Sequence, residues 1–278
     1  MAPYIVLLDE GTNIMSQAET FHTLHAGPDI LVLPNAWDAA SAALMSDAGA
    51  KAVATSSAAV AWAHGYADGD LLPREVLLAT LAECAKASKV PFTADIEGGY
   101  SDDLAQLAEL VRGVVGAGAV GINLEDGLRD PDLHARKVEA ARKAAAAAGV
   151  DLFINARTDV YLKGIAQGEA AVAESIRRAA LYQAAGASGI FVPGARDAGE
   201  ITALVAGISL PVNIMGLPGL NAAALQALGV RRLSSATSLF TAAFGALARA
   251  TGAFLADGDC TALYAAGEGM PNFNKRFG

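Results

Sequence analysis

From residue 30 onward the chain repeats one unit: a short apolar run, a polar turn, then an alanine-rich or amphipathic helix. The runs fall at Ile30–Pro34, Ala52–Ser56, Val90–Asp95, Val120–Glu125, Leu152–Ala156, Gly189–Val192, Leu210–Ile214 and Arg231–Ser234. They are continuously apolar rather than alternating. Strands of that kind are buried on both faces, as in a parallel sheet covered by helices. Eight such units predict an α/β fold of the (β/α)8 TIM-barrel type rather than an open, doubly wound sheet.

The punctuation agrees with the rhythm. Asp38, Pro73 and Pro131 stand where helices should begin, as caps or first-turn residues. Gly49, Gly118, Gly149, Gly186 and Gly229 stand where they should stop. The turn Ala-Gly-Ala precedes three of the strands, at residues 48–50, 117–119 and 185–187, and reads as a helix stop with close packing at the bottom of the barrel. Residues 1–29 form a lead-in with one short helix over Ser16–His25. No linker rich in Pro, Gly or Ser divides the chain, so residues 1–278 are expected to be a single domain. Residues 258–278 read as a C-terminal arm that must dock somewhere, on its own barrel or on a neighbouring subunit.

Composition narrows the function. Hydrophobic residues make up 53% of the chain and charged residues 18%, enough for a large core. Mean hydropathy is +0.36, which alanine-rich helices and β-branched strands explain without a membrane span. A net charge of −9 with no basic stripe argues against nucleic-acid binding. An alanine-rich surface fits a subunit that buries faces in an oligomer. The first residues lack a signal-peptide pattern. Cys84 and Cys260 lie far apart and read as free thiols of a cytoplasmic protein.

The chemistry-bearing residues collect at strand ends. Asp95 and Glu97 follow the third strand and run into Gly98-Gly99. Asn123, Glu125 and Asp126 close the fourth strand; Asn155, Arg157 and Asp159 close the fifth. In a barrel these ends share one face, where catalysis is carried. Asp95, Glu97 and Glu125 converging there would repel one another. A divalent cation removes that conflict, and Mg²⁺ takes one or two direct carboxylates and keeps several waters. Taken singly, each carboxylate could instead cap a helix or pair with a lysine. The Arg157 guanidinium matches a carboxylate ligand through paired hydrogen bonds; its alternative is an ion pair with Asp159 or Glu125. Ser56 and Ser57 could offer hydroxyls and backbone N–H groups to an anion, or form a plain turn. Trp37 after the first strand and Asn213 on the seventh are assigned to the substrate. Asp68, in the loop after the second strand, is assigned with Arg157 to catalysis. His64, Tyr66 and Tyr100 are candidate proton donors. Gly98-Gly99 is not a dinucleotide fingerprint.

These motifs resemble the isocitrate lyase / phosphoenolpyruvate mutase superfamily. Asp95-Ile96-Glu97-Gly98-Gly99-Tyr100 is similar to its acidic metal motif. Gly121-Ile122-Asn123-Leu124-Glu125-Asp126 and Asn155-Ala156-Arg157-Thr158-Asp159 are similar to its next two strand ends. Ser56-Ser57 with Asp68 resembles its second-strand serine and loop aspartate. The resemblance implies a barrel whose last helix is exchanged between subunits of a homodimer or homotetramer. It implies Mg²⁺, with Mn²⁺ as a substitute, held by Asp95 with Glu97, Asp68 and Glu125 as direct or water-mediated partners. It also implies a small 2-oxo or 2-hydroxy acid, its carboxylate on Arg157 and its other end on Ser56 and Ser57, reacting through an enolate.

The chain departs from the superfamily's lyases in two places. Glu125-Asp126-Gly127-Leu128-Arg129-Asp130-Pro131 runs straight into a helix, without the cysteine-bearing loop those enzymes carry there. Pro193-Gly194 stands after the sixth strand, where relatives place His or Glu. The expected activity is C–C cleavage or decarboxylation. The alternatives are P–C bond chemistry on a phosphonate and a non-catalytic metal-binding scaffold.

Overall fold

The computed structural model describes residues 14–278; the first part of the expected lead-in, residues 1–13, lies outside the described residues. In chain order the elements are α1 (Ile14–Ala26), β1 (Leu31–Leu33), β2 (Asn35–Ala36), α2 (Ala39–Asp47), β3 (Val53–Thr55), α3 (Ser57–Ala63), α4 (Arg74–Ala87), β4 (Phe92–Asp95), α5 (Leu104–Gly116), β5 (Gly121–Glu125), α6 (Pro131–Ala147), β6 (Phe153–Arg157), α7 (Gly168–Ala184), β7 (Gly189–Phe191), α8 (Ala198–Gly207), β8 (Val212–Met215), α9 (Ala222–Ala227), β9 (Arg232–Ser234), α10 (Ser238–Asp257), α11 (Thr261–Ala266) and α12 (Phe273–Phe277).

All strand pairings are parallel, and the order β1-β9-β8-β7-β6-β5-β4-β3-β2 brings the two chain-proximal strands to opposite edges. Those two strands are one stave. Pro34 interrupts it, because proline has no N–H for the ladder. On one side of the break the Leu33 carbonyl accepts from Ser235 N (3.1 Å); on the other the Pro34 carbonyl accepts from Ala54 N (3.0 Å). The stave thus pairs with β9 through its first half and with β3 through its second, closing an eight-stave barrel. Each predicted run falls on one stave, although three staves overrun their runs: the first continues to Ala36, β6 to Arg157 and β8 to Met215.

Helix ends follow their local signals. Asp38 caps α2 in a reciprocal capping box with Ser41. Pro131 is the first residue of α6, with Asp130 as its cap. Gly118, at φ 99°, stops α5 in a left-handed turn, and a Cβ there would sit 3.1 Å from the Ala85 Cβ. α5 buries Leu107, Leu110, Val111, Val114 and Val115. That is the spacing of one helix face, and each such side chain contributes roughly 1.5–3 kcal/mol by burial.

Strand alternation divides the residues between two environments. Ile122, Leu124, Ile154 and Ala156 join the hydrophobic core beneath the helices. Their neighbours Asn123, Glu125, Asn155 and Arg157 belong to the polar barrel interior. Glycine makes room there: a Cβ on Gly121 would strike Phe21 and Thr93, and one on Gly189 would strike Phe153. Phe21 and His25 come from α1, and His25 stacks on Phe153 at 3.9 Å between ring centroids.

One flank differs. α10 buries only Phe240 among its twenty residues, and by length and composition it is apolar enough to cross a membrane. It meets the barrel through an aromatic cluster, with Phe240 edge-on to Trp37 (5.2 Å) and packed on Trp62 (5.6 Å). Beside it lies an apolar groove of about 1300 Å³, lined in part by Val32, Leu44, Met45, Leu239, Met270 and Phe273. The C-terminal arm forms α11 and α12, and its Arg276 reaches back to Asp47 (2.7 Å) and to the Ala87 carbonyl of its own barrel.

Candidate active site

At the carboxyl ends of β4, β5 and β6, neighbouring staves bring Asp95, Glu97, Glu125 and Arg157 together. Strand register accounts for it: Asp95 lies beside Asn123, and Glu125 beside Arg157. Asp95 is buried. Its backbone N–H donates to Thr55 Oγ1 (2.9 Å), and its Oδ1 accepts from the Glu97 N–H (3.1 Å). Burial first, and then the negative charge of Asp68, push its pKa up, against the pull of Arg157 and a hydrogen bond from Asn123. Among the described residues no cationic side chain forms an ion pair with it.

Glu97 has a left-handed backbone, φ 52°. Its carboxylate receives the backbone N–H groups of Gly69 (2.8 Å) and Asp70, and the Tyr100 hydroxyl (3.1 Å). Burial, with Asp68, Asp70 and Asp95 nearby, raises its pKa to about 7. Glu125 rises to about 8 by burial and by the charges of Asp95, Asp159 and Glu97, although Arg157 opposes the shift.

Arg157 is anchored on both sides. Nη1 meets Glu125 at 2.7 Å, while Nε and Nη2 meet the two carboxylate oxygens of Asp159 at 2.6 and 3.2 Å. Burial disfavours its charge, but Glu125 and Asp159 outweigh that and hold its pKa above the ordinary value. A guanidinium carries five N–H donors, so one remains on each terminal nitrogen for a ligand. Behind it stands buried Asp126, which accepts from the Asp159 N–H (2.8 Å), Arg178 (2.8 Å) and the Tyr182 hydroxyl (2.6 Å).

The other sequence candidates take distinct places. Ser56 caps α3, accepting from Ala59 N at 3.4 Å, and Ser57 opens that helix; both are buried. Asn213 is buried, accepts from Ser234 Oγ (3.3 Å), and leaves its Nδ2 without a partner. Trp37 is half-buried in the aromatic cluster with Phe240. Asp68 is exposed, in a loop that leans on Glu97. Of the proposed proton donors, Tyr100 bonds Glu97, His64 bonds Thr80 of α4 (2.9 Å), and Tyr66 is exposed. Cys84 is buried and Cys260 exposed, both as free thiols.

Two features escaped the sequence. Arg232 is fully buried in the barrel interior and donates to Asn123 Oδ1 (3.2 Å), which also receives Asn155 Nδ2 (2.9 Å). That fixes the Asn123 amide with its nitrogen toward Asp95. Burial lowers the Arg232 pKa to about 9, with Asp95 pulling the other way. Arg232 opens β9, and nothing local tells an inward-facing arginine from an outward-facing one. The second is Arg129, in the loop before α6.

Among the described residues no three His, Cys, Asp or Glu side chains close into a set able to grip an ion by themselves. The donors do fit a hard cation held by few protein ligands. They are oxygen groups only, they are mutually repulsive, and among the described residues neither Asp95 nor Glu97 has an ion-pair partner, Glu97 being held by backbone N–H groups and the Tyr100 hydroxyl. Such a cation completes its shell with water.

A closed parallel barrel with acidic groups at the carboxyl ends of its staves is the arrangement barrel enzymes use. The family model for phosphoenolpyruvate phosphomutase matches residues 21–255, and the chain belongs to that family. A Mycobacterium tuberculosis protein of uncharacterized function is 37% identical over 244 residues, 86% of this chain and 90% of that one. A candidate phosphonomutase from Burkholderia cenocepacia superposes with a TM-score of 0.83 at 41% identity, covering 85% of this chain and 99% of that structure. A candidate lyase/mutase from the same organism superposes with a TM-score of 0.83 at 33% identity, covering 95% of each chain. More distant relatives are enzymes. Oxaloacetate decarboxylase of Bradyrhizobium diazoefficiens is 26% identical over 208 residues (73% of this chain, 72% of that one). 2-Methylisocitrate lyase of Bacillus subtilis is 26% identical over 208 residues (70% and 65%).

Proposed function

We propose that this protein is a Mg²⁺-dependent lyase of the cytoplasm, acting on a small 2-oxo or 2-hydroxy mono- or dicarboxylic acid by C–C cleavage or decarboxylation. The observation that carries this reading is Asp95: a buried carboxylate with no cationic contact, its pKa raised, beside two further raised carboxylates. Asp95 would hold the ion, with Glu97, Asp68 and Glu125 reaching it directly or through water. Such an ion would supply Lewis acidity where negative charge develops on the substrate.

The chain's own groups do the rest. Arg157, braced by Glu125 and Asp159, presents its two remaining N–H groups to the substrate carboxylate. Ser56, Ser57, Trp37 and Asn213 bound the other end of the ligand. For decarboxylation of a 2-oxo dicarboxylate, the carboxylate departs as CO₂ and the bond's electron pair stays on the carbon next to the keto group, delocalised onto the keto oxygen; protonation of that carbon completes the reaction. Tyr100, hydrogen-bonded within the carboxylate set, is the proton donor of choice over His64 and Tyr66. Its pKa lies above the ordinary value through burial and the charge of Glu97, so it stays protonated.

The test is calorimetric titration with Mg²⁺ and then oxalate, a mimic of the enolate. Wild type should bind both and Asp95→Ala neither; equal binding by the variant removes the reading. The family match and the candidate phosphonomutase favour a second reading, P–C bond chemistry on a phosphonopyruvate-like acid. Incubation with a panel of 2-oxo, 2-hydroxy and phosphono acids, followed by ¹H and ³¹P NMR, separates the two, and turnover of phosphonates alone selects the second. Turnover of any member rules out a purely scaffolding role.

The exposed apolar α10 and the groove beside it also support a homodimer or homotetramer in which α10 is exchanged between subunits. Sedimentation at micromolar concentration tests this, and a single-chain mass would refute it.

A further inference from the structure

We infer that Arg129 is a positioning residue that latches the 64–72 loop, and with it Asp68, against the carboxylate cluster. Its guanidinium bridges two loops: Nη2 meets Asp70 Oδ2 at 3.1 Å and Nε meets Asp102 Oδ1 at 2.8 Å. Asp102 is itself held by Lys137 of α6 at 2.7 Å. The guanidinium lies over Gly98, where any Cβ would collide with it. The glycine between Glu97 and Gly99 therefore makes the space that Arg129 fills.

The loop is pinned from below as well. Glu97 accepts the backbone N–H groups of Gly69 and Asp70, and Asp70 Oδ1 accepts the Tyr100 N–H at 3.2 Å. Asp70, Glu97 and Tyr100 all have left-handed backbones, at φ 60°, 52° and 59°. Such conformations persist in ordinary residues only where surrounding contacts over-determine them. Three of them meet here, and Arg129 supplies the ion pairs on the outer side. Asp68 immediately precedes the pinned pair Gly69-Asp70, and its charge acts on both Asp95 and Glu97. Arg129 stands on the short β5–α6 connection, so the latch belongs to the same segment in which this chain departs from the lyases.

The latch can be tested without a substrate and rests only in part on the proposed function. Hydrogen exchange on the ligand-free protein should show protected Gly69 and Asp70 amides in wild type. Arg129→Ala should speed their exchange by about tenfold, the effect of losing one charge-assisted hydrogen bond, with exchange in β4–β6 unchanged. Arg129→Lys, which keeps the charge but spans a single carboxylate, should recover part of the protection. Asp70→Asn, which leaves the Arg129–Asp102–Lys137 arm in place, should repeat the local loss and serves if Arg129→Ala fails to fold. Mg²⁺ affinity should fall in the same order, because Asp68 is no longer held in place. Unchanged exchange at Gly69 and Asp70 in both Arg129→Ala and Asp70→Asn overturns the latch. A wild type that binds no divalent cation would defeat the proposed function while leaving the exchange result to judge the latch alone.

Discussion

The mouth of the barrel and the flank carrying α10 solve opposite problems. At the mouth one chain gathers charges that repel, buries them, and answers nearly all of them itself: Arg157 by Glu125 and Asp159, Asp126 by Arg178 and Tyr182, Glu97 by loop amides. Asp95 is left for something from outside. On the flank the chain presents Phe244, Leu247 and Leu255 to solvent beside an open apolar groove. Polar groups are expensive to bury without partners, so they are satisfied locally. Apolar surface needs only area, and a second copy of the chain can supply it as well as the first.

The largest expected effect lies at the mouth. Asp126→Ala removes three hydrogen bonds and leaves Arg178 with Glu174 as its remaining ion-pair partner, and should destabilise the fold by about 2–4 kcal/mol in denaturant unfolding. A loss below about 1 kcal/mol would mean that the network is not what holds Arg157 and Asp159 in place. On the flank, Phe244→Glu should leave the far-UV spectrum intact and convert the proposed oligomer to single chains in sedimentation. An unchanged mass would show that α10 is not the interface.

A smaller effect separates the regions by pH. Glu97 and Glu125 titrate near 7 and 8 in the fold against an ordinary 4.5, chiefly through burial. Between about pH 4.5 and 8 the folded state therefore holds protons that the unfolded chain has released, and stability falls as pH rises through that window. Mg²⁺ bound as proposed would oppose the loss, so its stabilisation in thermal melts should be greater at pH 8 than at pH 6. Equal shifts would place the ion elsewhere. The least effect belongs to Lys143→Ala: its pair with Glu139 is exposed on both sides, and stability should change by less than about 0.5 kcal/mol.

Much of the fold was legible. Each predicted stave is present because continuous apolar runs can be satisfied only between two covered faces. Gly118 and Pro131 did what their backbone limits require. Pro34 reads as the end of the first strand, yet it divides a stave between two neighbours, a distinction that appears only once the barrel closes. At the site, Asp95, Glu97, Glu125 and Arg157 were legible as strand ends. Their division of labour was not, since the partners of Glu97 lie some thirty residues away in the 64–72 loop. Arg232 and Arg129 gave no local sign, for an isolated arginine in sequence looks the same whether it faces solvent, a ladder of asparagines or a glycine.

By itself the amino-acid order determined the repeat, the helix stops and the kinds of group delivered to the strand ends, because these depend on backbone limits and on periods of two and about 3.6 residues. Tertiary structure alone decided which carboxylate is spent on Arg157, which on loop amides, and which stays available. Those choices depend on distances across staves and loops that no spacing along the chain encodes. It decided as well that α10 lies off the barrel rather than in it, because burial is a property of what surrounds a helix and not of the helix.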